Sequence, residues 1–185
     1  MTEAGGPNLP SPKQIALDGG STAILVLDLT TRCLAPNAPC GTLLSRVGSF
    51  LDRVRAAAVP IVFTISLRDL GTELGVVAPA LNRAETEAAV SPDSFDKFYG
   101  GQLHELLQAA GTENLVIVGA ATNVAVMYTS TAAARVHKYN VVIPIDGVTA
   151  GSRYENDYAL HQLHALPGDS VREVQFSTLS EIGFT

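Results

Sequence analysis

Asp28 follows five apolar residues, Ala23-Ile24-Leu25-Val26-Leu27. A carboxylate closing such a run is partly desolvated and lies where a strand opens into a crevice, a setting for general acid or base work. An aspartate there can equally cap a helix or hold a turn, and position alone leaves both readings open. The segment Gly119-Ala120-Ala121-Thr122-Asn123 is a second candidate, set between an apolar run and a stretch rich in Ala, Ser and Thr. A helix starting there would offer unpaired N–H groups to an anion or an oxyanion. The plainer reading is a tight strand-to-helix turn. Cys33 and Cys40 share a Pro-rich loop at a spacing that suits no metal or redox motif, and are read as free thiols. His161 and His164 can share a helix face but have no acidic or cysteine partner in pattern, so they are read as surface residues. His137 and Lys138 are expected to close a helix, where cations favour the negative end.

The elements that must position these residues are legible as alternating runs. Ala23–Leu27, Ile61–Ile65, Leu115–Val118 and Val141–Ile145 are continuous apolar runs, as expected of strands buried on both faces. Between them, Leu43, Leu44, Val47, Phe50, Leu51, Val54 and Ala58 fall on one helical stripe, with Thr42 read as its N-cap. A second helix carries Leu103, Leu106, Leu107 and Ala110 and stops at Gly111. A third spans Asn123 to about His137, and a fourth about Tyr154–Leu166, ending before Pro167. The last strand, about Val171–Phe176, mixes charge with apolar residues and belongs at an edge. Met1–Gly20, rich in Gly and Pro, reads as a flexible or surface-draped arm before a single domain over 21–185. Strands alternating with helices call for a parallel sheet covered on both faces, with ligands at the carboxyl ends of the strands.

The chain has 185 residues and a net charge of −6, with 18 acidic against 12 basic residues and no clustered Lys or Arg. Nucleic acid and membrane surfaces are therefore not expected partners. No apolar run approaches the roughly 20 residues of a membrane span, and no secretory start is evident, so a cytoplasmic location is expected.

AILVLDLTTRC, and FYGGQLHELLQAAGTENLVIVGAATNVAVMYTSTAAARVHKYNVVIPIDGVTAGS from Phe98 onward, together resemble the isochorismatase-like hydrolases, or cysteine hydrolases. The resemblance covers about Ser21 to Gly183. It implies a six-stranded, mainly parallel sheet in the order 3-2-1-4-5-6, a homo-oligomer, a small-molecule substrate or ligand, Asp28 as the catalytic aspartate, and an oxyanion turn at Ala120, Ala121 and Thr122 with a cis Ala120–Ala121 bond. The family's nucleophilic cysteine falls on Ala125, which can form no acyl intermediate. Its lysine falls on Pro92, and its glutamine two residues after the aspartate on Thr30. The metal ligands of nicotinamidases have no counterpart in Ser66-Leu67-Arg68-Asp69, so neither metal nor other cofactor is implied. Lys97 could turn into the site, although a lysine at a helix entry is more often solvated. Thr30, Cys33, Phe98, Tyr99, Asn123 and Tyr128 are further candidates for the pocket lining.

A carboxyl group with apolar surroundings and no lysine beside it would favour the acid form, so Asp28 is expected to act first as a proton donor. The resulting expectation is a small-molecule hydrolase that works without a thiol, with Asp28 as general acid or base. The alternatives are an inactive binding or assembly homologue, and a lyase or isomerase that uses only the Asp28 proton.

Overall fold

A computed structural model describes residues 9–166 and 173–185. Its main sheet contains β2 (Thr22–Leu27), β3 (Ile61–Thr64), β4 (Ala88–Val90), β5 (Asn114–Ala120), β6 (Asn140–Pro144) and β8 (Val174–Ser177), with the short β7 (Val148–Thr149) paired to the end of β5. The spatial order is β4-β3-β2-β5-β6-β8 and every pairing is parallel. Counted along the chain, the six principal strands therefore run 3-2-1-4-5-6, as expected.

The sequence dictates which faces are covered. Leu103 and Leu107 of α2 (Gln102–Ala109), Ala132–Ala134 of α3 (Met127–Arg135), and Leu160 and Leu163 of α4 (Arg153–His164) pack on Leu25, Leu27, Leu115 and Ile117. Val47, Phe50, Leu51 and Val54 of α1 (Leu44–Ala56) pack on Ile24, Val26, Val116 and Val118 across the sheet. Alternate residues of each central strand thus enter opposite cores, which explains why those strands read as unbroken apolar runs.

Several local expectations change. Thr42 is not the N-cap of α1: a short 3-10 segment, Pro39–Leu43, leads into the helix, and the Thr42 hydroxyl donates to the Pro39 carbonyl at 2.8 Å. The third helix opens with a π turn over Thr122–Val126 before α3 begins. Within the expected arm, β1 (Ile15–Leu17) pairs with β9 (Ile182–Phe184) in a second, two-stranded parallel sheet, and the Lys13 N–H donates to the Phe176 carbonyl at 2.9 Å. The edge strand begins at Val174; Val171 and Arg172, like residues 1–8 of the arm, lie outside the described residues.

Candidate functional site

The strand order reverses between β2 and β5, because the chain leaves β2 for β3 on one side and β5 lies on the other. Asp28 closes β2 at this switch point. It has φ 55°, a left-handed conformation that a non-glycine residue adopts at some cost. Gly119 of β5 is in register with Leu27, has φ 133°, and leaves no room for a Cβ against the Leu27 backbone. Only glycine lets the two strands lie this close, bringing the turn after β5 beside Asp28.

Both carboxylate oxygens of Asp28 are engaged. Thr64, the last residue of β3, donates its hydroxyl to Oδ1 at 2.8 Å, and Nζ of Lys97 lies 2.8 Å from Oδ2. The Lys97 side chain is 3% exposed and that of Asp28 21%. Lys97 is the correction to the expected lone acid: Pro92 does occupy the cavity wall, but the chain turns Lys97 inward five residues later. Thr129, buried on α3, fixes that path by accepting the Lys97 N–H at 3.1 Å and donating to the Phe95 carbonyl at 3.3 Å. Taking an ammonium and a carboxylate out of water costs several kcal/mol per ion unless they pair. Asp28 is accordingly an ion-paired carboxylate rather than a lone acid.

Asp28 and Lys97 line a cavity of about 720 Å³, within the size range of small-molecule sites. Ala120, Ala121 and Ala125 form another wall, and the Ala120–Ala121 bond is cis. Ala125 is buried and presents a methyl group to the space. Thr30 also lines the cavity. Thr122 does not; its hydroxyl donates to Asn156 Oδ1 at 2.7 Å. Asn123 lies outside the lining as well.

Other candidates are placed elsewhere. Phe98 is buried in an aromatic cluster, its ring centroid 4.3 Å from that of His137 and 5.9 Å from that of Tyr139. Burial lowers the pKa of His137 in this cluster, and the neighbouring His104 adds to the effect. Tyr99 and Tyr128 are exposed beside other hollows, Tyr128 stacking on Phe95. His164 meets the edge of Phe176. Cys33 and Cys40 are not free thiols: they form a disulfide, with Cα atoms 5.2 Å apart. Cys33 is buried in the core, while Cys40 reaches the cavity wall.

Three lining residues have no role in the sequence reading. Arg32 Nε donates to Asp69 Oδ2 at 2.9 Å while Nη2 contacts Oδ1, and Arg68 Nε lies 3.6 Å from the same carboxylate. The Arg32 guanidinium holds Asp69 below the usual carboxylate range, with Arg68 contributing less. All three follow the ends of β2 and β3, at the same edge of the sheet as Asp28; that placement was the available signal. Among the described residues, no group of three or more His, Cys, Asp or Glu could hold a metal ion, and no helix is long and apolar enough to cross a membrane.

The family model for the isochorismatase domain matches residues 22–173. No curated protein matches the sequence. Among solved structures, the chain is similar to an isochorismatase-like hydrolase from Alkaliphilus metalliredigens, with 22% identity, a TM-score of 0.76, and 87% of this chain and 96% of that one covered. A cysteine hydrolase from Pseudomonas syringae pv. phaseolicola gives 19%, 0.75, and 95% of each chain. A nicotinamidase from Staphylococcus aureus gives 21%, 0.70, and 84% of this chain with 97% of that one.

Proposed function

Because the chain belongs to the isochorismatase family, we propose that it is a small-molecule hydrolase in which water, activated at Asp28, replaces a thiol nucleophile. One observation carries this reading: an ion pair between the buried Lys97 and the half-buried Asp28 lines the same cavity as Ala125. A pair of this kind costs desolvation that a purely structural relative would gain by losing, whereas proton transfer requires it.

The Asp28 carboxylate takes a proton from water as the water oxygen adds to the acyl carbon of a small amide. The same proton then passes from Asp28 to the departing nitrogen, the C–N bond breaks, and a carboxylic acid and an amine are released. Lys97 and Thr64 hold the carboxylate in place. The wall at Ala120 and Ala121 faces the oxygen on which negative charge develops. No covalent intermediate forms, since Ala125 has no nucleophilic atom.

The test is turnover of a panel of small carboxamides by the whole chain in ¹⁸O-labelled water. We expect one labelled oxygen in the acid product, rates unaffected by iodoacetamide, and a 10²–10⁴-fold fall, typical of a lost acid or base, in Asp28→Asn, assayed at a temperature where that variant is still folded because Lys97 loses its charged partner and some stability goes with it. Full activity in Asp28→Asn would sink the proposal. Tight amide binding without turnover would instead support a binding homologue.

A further inference from the structure

The guanidinium groups in the cavity wall have capacity that the hydrolytic step does not use. Arg32 engages Asp69 through Nε and Nη2, and its Nη1 has no hydrogen-bond or ion-pair partner among the described residues. Arg68 approaches the same carboxylate with Nε at 3.6 Å, beyond hydrogen-bond distance, and its side chain is 75% exposed. Its two terminal nitrogens make no hydrogen bond among the described residues. Asp69, 8% exposed, holds both cations at one end of the site. Around Asp69 one carboxylate faces two guanidiniums, while Asp28 and Lys97 cancel each other and Asp93 brings the charges of the whole lining into balance. A planar guanidinium edge with free N–H groups matches a carboxylate in two parallel hydrogen bonds.

We propose that Arg68, backed by Arg32, binds the carboxylate of a small substrate whose amide end reaches Asp28, so that the substrate class is amides carrying a second, anionic group. The assignment of the amide end rests on the hydrolase reading; the carboxylate site is measurable without turnover. Asp93 also lines the cavity, and its charge opposes an anion.

The experiment is an NMR titration of the whole chain with malonamate, succinamate and glutaramate, each against its neutral diamide. Three lengths are used to sample the span of the cavity. At the fitting length, the carboxylate compound is expected to bind about tenfold tighter than its diamide, the scale of one charge-assisted contact. Arg68→Gln, at an exposed position that should not disturb folding, is expected to abolish that preference. Arg68→Lys should keep part of it, and Asp93→Asn should increase it. Equal binding of acid and diamide at every length, no binding of any of the acids, or a preference that survives Arg68→Gln would overturn the proposal. Inorganic phosphate competing as well as the best carboxylate would overturn the choice of anion. A preference without hydrolysis would refute the hydrolase reading and leave the carboxylate site standing; hydrolysis of acids and diamides alike would do the reverse.

Discussion

A lysine held out of water against a single carboxylate is stable only while both partners remain. Lys97→Met leaves Asp28 partly hydrated, so the expected loss is about 1–3 kcal/mol, below the full cost of breaking a buried pair. The double change Asp28→Asn with Lys97→Met removes both charges, keeps an acceptor for the Thr64 hydroxyl and suits the left-handed backbone at this position, so it should be no less stable than Lys97→Met alone, and inactive. Urea unfolding midpoints check both, and a single variant more stable than the parent contradicts the ion pair. Asp69 gives a pH dependence of known sign. Its pKa is lower in the folded chain, mainly through Arg32, so the unfolded chain takes up the proton first as the solution is acidified. That stabilisation is complete above the ordinary carboxylate pKa near 4 and is lost as pH falls through the lower folded value. Arg32→Gln should flatten this part of a stability profile measured between pH 6 and 3. Asp28 could be read from the sequence because an unbroken apolar run ends at it. Lys97 could not be resolved, since whether a lysine turns inward depends on the path of a loop and on Thr129, which lies 32 positions away. The pairing of Cys33 with Cys40 was likewise hidden, because motif spacing does not report how a Pro-rich loop folds back.

Among the elements, α1 shows how packing overrides propensity. Gly48 lies within this helix, where alanine is ordinarily favoured by about 1 kcal/mol. A Cβ at Gly48 would run into the Ala80 carbonyl, in the turn packed against the helix. Gly48→Ala is therefore expected to lower the thermal midpoint, whereas an exposed helical glycine would raise it; an increase would mean that the turn moves away freely. The long central strands and the amphipathic faces of α1 and α2 were legible because burial imposes a period on many residues at once. β4 and β7 were not, being three and two residues long with no pattern of their own. The π turn was missed for a different reason. Its Val126 N–H reaches the Ala121 carbonyl, five residues back, and side-chain periodicity over one turn does not separate that from an ordinary helix.

At the scale of the molecule, the 3-2-1-4-5-6 order puts the chemistry at one edge of the sheet and the disulfide in its wall. The bond joins residues seven apart, a loop whose closure contributes about 2–3 kcal/mol. Dithiothreitol, or a Cys33→Ser, Cys40→Ser variant, is expected to lower the urea midpoint correspondingly; an unchanged midpoint would mean that the crosslink adds nothing to the folded state. Disulfides persist in oxidising surroundings, so the cytoplasmic setting expected from the sequence would favour the weaker, reduced form.

The pairing of β1 with β9 has a kinetic consequence. Leu17 accepts a hydrogen bond from Thr185, 168 positions along the chain. Closing so long a loop is costly until the layers between have already brought the two segments together. The small sheet is therefore a late-forming latch, and the amides of Ile15–Leu17 become slow to exchange with deuterium only in molecules whose whole interior is assembled.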